Sequence, residues 1–69
     1  MMNQLRIGDI WHYGRGSYIE DYYLVLSVVD GNVKLLRMSD NREFDSYPEH
    51  KIIKSSGNLW HYVERTTYV

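Results

Sequence analysis

The chain has 69 residues, of which 43% are hydrophobic and 14% aromatic, with eight Lys and Arg against nine Asp and Glu and no cysteine. A single domain of this length buries only about 60% of its unfolded surface, which leaves a thin core. Without cysteine, disulfide bonds and thiolate metal sites are excluded, so we expect an unusually aromatic core or a second subunit that completes it. The nearly balanced charge argues against generic binding to nucleic acid or anionic membranes.

The apolar runs of the sequence are short. None extends beyond a few residues, which argues against a membrane-spanning segment. The polar start, Met1 to Arg6, lacks the pattern of a secretion signal. We therefore expect a cytoplasmic protein that forms one domain over residues 1–69.

Apolar and polar residues alternate along most of the chain, and turn residues separate the short runs. This pattern predicts a meander of β-strands rather than a helical protein. The first strand is predicted over 7–13, with Trp11 and Tyr13 on one face and Ile10 on the other. The two glycines, the serine and the acidic pair of 14–21 predict a mobile or functional loop.

The strongest strand signal is the run 22–29 (YYLVLSVV), which is rich in β-branched and aromatic residues and apolar on both faces. Two apolar faces are typical of a central strand in a small barrel, whose outer face is covered by another segment or by a partner chain. Asp30-Gly31 predicts a type I′ turn into a third strand over 32–38, because this turn needs positive φ at both central positions.

The second half of the chain is predicted to continue the same pattern. The turn signal 39–41 leads into a fourth strand over 42–47, which Pro48 interrupts because proline has no N–H for the ladder. The segment 51–55 (KIIKS) fits a short strand or a single helical turn, and we favour the strand because a hairpin-type turn follows. A last strand is predicted over 59–69.

These elements predict an all-β barrel of five or six antiparallel strands. Its core is predicted to contain Ile10, Leu24, Leu26, Val28, Val33, Leu35, Phe44, Ile52 and Val63. Because the strand 22–29 is apolar on both faces and aromatic residues are in surplus, we expect a homo-oligomer, in the simplest case a dimer.

The tripeptide Trp-His-Tyr occurs twice, at 11–13 and at 60–62, in the first and last predicted strands. If these strands are neighbours, the two copies pair as antiparallel partners and stack their rings. Packing between strands is one interpretation of the repeat, and an aromatic binding platform is the other. The pairing also brings His12 and His61 together, but a metal ion needs three or four converging ligands, so we predict neither a metal site nor a cofactor.

Seven tyrosines and two tryptophans are more than a core of this size can hide, and partly exposed rings are favoured at protein interfaces. We therefore predict a non-enzymatic protein-binding surface formed by Tyr18, Tyr22, Tyr47, Trp11 and Trp60. The structural alternative is that the tyrosines cover the ends of the barrel. The serines and carboxylates form no recognised catalytic arrangement, so we expect no enzyme.

A nucleic-acid accessory module is the second functional hypothesis. Its cationic residues are Arg37, Arg42, Lys51 and Lys54. Acidic residues accompany these cations along the chain, so we expect any such binding to be weak and sensitive to salt. An enzyme whose site forms only on oligomerisation is a third and more remote alternative.

The segment 7–11 (IGDIW), followed by a glycine loop, the apolar run 23–26 and the Asp30-Gly31 hairpin, resembles the start of small SH3-like barrels. These include KOW-type modules and many short proteins of phages and mobile elements. The resemblance covers residues 5–47 and, through the strand 59–63, most of the chain. It implies the fold more than an activity. Plasmid-type dihydrofolate reductases are similar in size and topology, but none of their catalytic residues carries over.

Overall fold

The structure is a computed structural model that describes the backbone of residues 4–15 and 18–66 and the side chains of 4–14 and 21–66. This part of the chain contains β1 (Asp9–Arg15), β2 (Tyr18–Val29), β3 (Asn32–Arg37), β4 (Arg42–Pro48), α1 (Glu49–Lys54) and β5 (Trp60–Arg65). The strands pair antiparallel in the order β4-β3-β2-β1-β5. The prediction of an all-β protein with five antiparallel strands is therefore confirmed. No helix in the described residues is both long and apolar enough to cross a membrane.

The sheet is barrel-like but open, because the edge strands β4 and β5 do not pair with each other in the described residues. Side chains close the gap instead, since the rings of Tyr47 in β4 and Trp60 in β5 lie 5.9 Å apart. Helix α1 connects these two edges along the chain. The sheet therefore curls around one core without forming a continuous hydrogen-bonded cylinder.

The turn between β2 and β3 confirms the prediction made from Asp30-Gly31. Both residues have positive φ, 50° and 78°, as a type I′ turn requires. The predicted loop 14–21 is wrong over most of its length, because β2 already begins at Tyr18 and pairs there with Arg15. Residues 16–17 of that loop lie outside the described residues.

The preferred strand at 51–55 is wrong, because Glu49–Lys54 form helix α1. Pro48 ends β4 and precedes the helix in an extended conformation, with φ at −64°. Ile52 is buried in the core and the adjacent Ile53 packs against the core as well. A strand would send these two neighbours to opposite faces, whereas one helical turn lets both reach the core.

The core lies on one face of the curled sheet and is built from Leu5, Trp11, Val25, Val33, Leu35, Ile52 and Trp60. Four predicted core residues are buried, namely Leu24, Val33, Leu35 and Ile52. Four others are only partly buried, namely Ile10, Leu26, Val28 and Phe44. Val63, also predicted to be in the core, is 45% exposed. The expectation that Trp11 and Trp60 reach the surface is wrong, since they are 0% and 4% exposed.

Two β-bulges explain part of these differences. In β2, Leu26 is an extra residue between the pairs that Val25 and Ser27 make with β3. Because of it, Val25 and Val28 both pack on the core side although their odd spacing in a regular strand would separate them. In β5, Val63 is the extra residue opposite β1 and does not enter the core.

Gly8 and Asp9 fix the point where β1 begins and β5 ends. Gly8 has a φ of 95°, and a Cβ there would lie 2.5 Å from the carbonyl oxygen of Thr66. Asp9 is fully buried, and its carboxylate accepts hydrogen bonds from Arg65 Nε at 2.6 Å and from the Arg6 backbone N–H at 2.9 Å. The bond to Asp9 also raises the pKa of Arg65. The glycine and aspartate that carry the SH3-like resemblance thus have a structural role here.

Candidate ligand-binding groove

The two copies of Trp-His-Tyr, at 11–13 and 60–62, are antiparallel neighbours, which is the arrangement expected if the first and last strands adjoin. The histidines pair with each other, and each tryptophan pairs with the tyrosine of the other copy. The centroids of the two tryptophan–tyrosine ring pairs are 5.6 and 4.9 Å apart. The antiparallel register places one tryptophan at each end of the paired segment, so the two indoles meet different surroundings.

Three tyrosine rings surround Trp60 on the core side of the sheet. Tyr13, Tyr23 and Tyr47 lie with their centroids 4.9, 5.3 and 5.9 Å from that of Trp60. Their planes are inclined to the indole plane by 59°, 63° and 59°. Phe44 extends the set, 6.1 Å from Tyr23. Together these rings line a cavity of about 230 Å³ that opens to solvent.

A second cavity, of about 350 Å³, shares three of these residues, Tyr13, Tyr47 and Trp60, and continues along α1. Its remaining lining residues come from the helix and the turn after it: His50, Lys51, Lys54, Ser55 and Leu59. We call the two cavities together the aromatic groove. One half of this groove is lined by rings, and the other half is edged by cationic side chains.

A bulge in β4 brings two of the rings to the groove. Val33 pairs with Tyr47 and Leu35 with Phe44, so β4 has one residue more than β3 between these pairs. Ser46 accommodates the extra residue with a left-handed φ of 57°. In a regular strand, residues three apart such as Phe44 and Tyr47 would point to opposite faces. With the bulge, both rings pack on the core side.

The two ends of the groove differ in charge. Lys51 and Lys54 are exposed, and neither makes an ion pair with a described carboxylate. At the other end, Arg37 lies over the Phe44 ring, 5.3 Å from its centroid. Arg37 donates two hydrogen bonds to Asp40, at 2.9 and 3.2 Å. Positive charge without a carboxylate partner is therefore found on the α1 side.

The Arg37–Asp40 pair stays charged at neutral pH. Its hydrogen bonds raise the pKa of Arg37 and hold the pKa of Asp40 below its ordinary value of 3.8. Asp21 adds a second carboxylate 3.8 Å from Arg37. The guanidinium is thus already neutralised by the protein, which makes it a poor candidate for contacting phosphate.

The residues predicted to bind a protein partner do not lie together in the structure. Tyr47 and Trp60 both line the groove. Trp11 is part of the core cluster and has no exposed surface. Tyr22 is 43% exposed, but its ring lies 5.1 Å from the histidine of the first triplet and does not line the groove. Tyr18 belongs to β2 by its backbone, and its side chain lies outside the described residues.

The predicted cationic residues do not form one stripe. Arg37 and Arg42 pair with each other where β3 ends and β4 begins. Lys51 and Lys54 lie on α1, which follows the opposite end of β4. The two pairs of cations are therefore separated by the length of β4, and only the second pair edges the groove.

The central histidines of the triplets lie close together, with the rings of His12 and His61 5.6 Å apart. His61 Nε2 donates to the carbonyl oxygen of Gly14 at 3.1 Å, so this nitrogen is already engaged. Within the described residues, no three His, Cys, Asp or Glu side chains converge in a way that could hold a metal ion.

Three aromatic residues of the ring-lined cavity were not among the predicted site residues: Tyr13, Tyr23 and Phe44. Tyr13 had an available signal, because antiparallel pairing of the two triplets places it opposite Trp60. Phe44 was predicted as a core residue, but nothing in the sequence indicated that it and Tyr23 would line a groove, since this depends on the β4 bulge and on the curl of the sheet.

No family model matches the chain, and no curated protein or solved structure matches it. The resemblance to SH3-like barrels therefore stays a prediction, and function is inferred from the groove itself.

Proposed function

We propose that this protein is a non-enzymatic binding module that holds a segment of another protein in the aromatic groove. The observation that carries the proposal is the set of three tyrosine rings around Trp60 beside an open cavity. Tyrosine and tryptophan offer a large apolar contact area at low entropic cost, and their polar atoms can hydrogen-bond to a peptide. Aromatic-lined grooves on small domains bind extended peptides in this manner.

The lining of the aromatic half of the groove favours binding over catalysis. The ring-lined cavity is formed by three tyrosines, Leu35, Phe44 and Trp60. These side chains offer contact area and hydroxyl groups, but they do not pair a nucleophile with a base. At about 230 and 350 Å³, the two adjoining cavities have room for one or two side chains of a bound segment.

The SH3-like assignment is part of this proposal. It is supported by the pairing of the first and last strands, β1 and β5, which is frequent in five-stranded barrels of the SH3 type. The cytoplasm remains the proposed compartment, and a phage or mobile element the proposed origin. Both rest on the composition of the sequence and its resemblance alone.

The homodimer also stays a prediction. Four large apolar side chains on the strands and the β3–β4 turn are more than two-fifths exposed, namely Tyr22, Val29, Met38 and Val63. A second copy of the chain is the partner that the two-sided apolar β2 favours. Sedimentation at high micromolar concentration tests it, and a monomer under those conditions would contradict it.

A phage-displayed library of random peptides tests the binding proposal. We expect the recovered peptides to shift the NMR signals of Tyr13 and Trp60, because these residues belong to both cavities. Tyr47→Ala should weaken binding by roughly tenfold, as expected for loss of a central interface ring. Tyr22→Ala is the matched control, since it removes a tyrosine outside the groove, and it should leave the affinity nearly unchanged.

Because Tyr47 packs against the core, the fold of Tyr47→Ala is checked by its thermal unfolding curve. The signal shifts in the wild-type protein provide a second measurement that does not depend on that variant. Recovery of no peptide, or of peptides that shift signals around Tyr22 alone, would overturn the proposal.

Nucleic acid is the alternative ligand, because Lys51 and Lys54 edge the same groove as the rings. Bases would stack on the rings while the lysines contact phosphates. The neutralised Arg37 and the separate position of Arg42 weigh against it. Fluorescence titration with single- and double-stranded oligonucleotides at low salt tests this alternative. Absence of binding at low salt would exclude it, since added salt only weakens contacts between lysines and phosphates.

A further inference from the structure

We infer that the segment bound in the aromatic groove is extended and acidic. One apolar side chain would enter the ring-lined cavity, and carboxylates two residues apart would pair with Lys51 and Lys54. The inference rests on the proposed function, because it names the chemistry of the ligand for the same groove.

The first argument is the distribution of charge. Three other cations have carboxylates within 4 Å, namely Lys34, Arg37 and Arg65. Among the described residues, Arg6, Arg42, Lys51 and Lys54 have no such partner, and of these four the two lysines line the groove. The acidic residue of the same helix, Glu49, accepts a hydrogen bond from the Leu5 backbone N–H at 2.8 Å. The carboxylate of this helix is therefore engaged elsewhere, and the groove edge keeps its positive charge.

The second argument is spacing. Lys51 and Lys54 are three residues apart on one helix, so their Cβ atoms lie about 5–6 Å apart. In an extended peptide, residues i and i+2 point to the same side and are roughly 6.5–7 Å apart. The flexible lysine side chains easily bridge this small difference. Two alternate acidic residues can thus reach both ammonium groups at once.

The third argument is continuity between the two halves of the groove. Tyr13, Tyr47 and Trp60 line both cavities, so a ligand edged by the lysines is already in contact with the rings. Aromatic rings alone would also suit an ammonium group. The two lysines at the edge repel such a cation, and they favour an anionic ligand instead.

Peptides that share one proline or leucine and differ in the flanking residues test this inference. Aspartate, asparagine or lysine occupies the alternate flanking positions, and affinity is measured by calorimetry at about 20 mM and about 300 mM salt. At low salt we expect the aspartate peptide to bind roughly five- to tenfold more tightly than the asparagine peptide, because exposed ion pairs contribute modestly. The lysine peptide should bind most weakly, and at high salt the affinities of the three peptides should become more similar.

The double variant Lys51→Ala/Lys54→Ala should lower the affinity of the aspartate peptide to that of the asparagine peptide. Lys34→Ala is the control, because Lys34 is already paired with Glu43 and Asp45 and does not line the groove. It should leave the preference for aspartate unchanged. If Lys34→Ala and the double variant lower the affinity for the aspartate peptide equally, a specific role of the two lysines on α1 would be contradicted.

The outcomes separate this inference from the function on which it rests. If the peptides bind in a Tyr47-dependent manner without preference for aspartate, the ligand class is wrong and the binding module stands. Tightest binding of the lysine peptide also overturns the inference. If a single-stranded oligonucleotide binds more tightly than every peptide and depends on the same two lysines, the groove takes nucleic acid. Binding of none of these ligands at the groove would overturn both proposals.

Discussion

The two ends of the paired Trp-His-Tyr copies contain the same residues in the same register, but the surroundings of their tryptophan–tyrosine pairs differ. At the first end, Trp11 is fully buried and contacts Tyr62 edge-on. At the second end, Trp60 and Tyr13 lie beside the cavities of the groove. The same local sequence thus occurs at both ends and both tryptophans are buried in the core, whereas the neighbouring elements place Trp60 beside an open cavity as well.

The first end is closed by contacts between the start of β1 and the end of β5. Gly8 accepts a hydrogen bond from the Thr66 backbone N–H at 2.9 Å, and Asp9 binds Arg65. At the second end, the β4 bulge and α1 hold rings and lysines around Trp60, which is 4% exposed and lies beside the two cavities. Close approach of the backbones thus characterises the closed end, and a cluster of several rings beside a cavity characterises the open end.

The largest expected effect is at the closed end. Trp11→Ala should lower the free energy of unfolding by about 3–5 kcal/mol, because it removes a buried indole. A domain of this size has a total stability of about 3–10 kcal/mol, so the variant should lose a large part of its stability. Tyr62→Ala, at the 40% exposed partner ring, should cost only about 1 kcal/mol. Urea denaturation measures both, and similar losses would show that this end is not closed.

Gly8 provides a sharper test of the same end. Gly8→Ala should cost about 2–4 kcal/mol, because it combines a positive φ with a Cβ close to a backbone oxygen. Gly31→Ala is the control, since Gly31 also has positive φ but nothing within 4 Å of the added atom. It should cost about 1–2 kcal/mol. Equal denaturation midpoints for the two variants would contradict the close contact with Thr66.

The smallest effect is expected at the open end. Ser46→Gly should stabilise the protein by about 0.5 kcal/mol, because glycine adopts the left-handed φ of the bulge without steric cost. The greater freedom of glycine in the unfolded chain offsets part of this gain. Ser46→Ala should change stability little, since alanine has the same steric cost as serine. A clear loss of stability in Ser46→Gly would show that Ser46 has another role in the bulge.

The sequence was sufficient where a structure depends on local chemistry. Asp30-Gly31 forms the predicted turn, and the two triplets face each other as expected for neighbouring first and last strands. It was insufficient at 51–55, because the two adjacent isoleucines fit a strand and a helical turn equally well until the position of the core is known. The tertiary environment selects the helix, since only the helix turns Ile52 and Ile53 to the same side.

The groove was predicted only in fragments. Tyr47 and Trp60 belonged to the protein-binding hypothesis, and Lys51 and Lys54 to the nucleic-acid hypothesis, yet they line one cavity. Alternation of apolar residues cannot show where an extra residue shifts the faces of a strand, so the packing of Phe44 and Tyr47 on the same side was not predictable. The burial of Trp11 was also not predicted, because the number of aromatic residues in a sequence does not show which of their rings other side chains cover.

The bond between Asp9 and Arg65 joins residues 56 positions apart in the chain. Contacts of such long sequence separation form late, because closing the intervening loop costs entropy before any contact rewards it. During synthesis, β1 must therefore wait for nearly the whole chain to leave the ribosome before its second neighbour exists. Until then, one edge of β1 and the indole of Trp11 are available to chaperones or to other nascent chains.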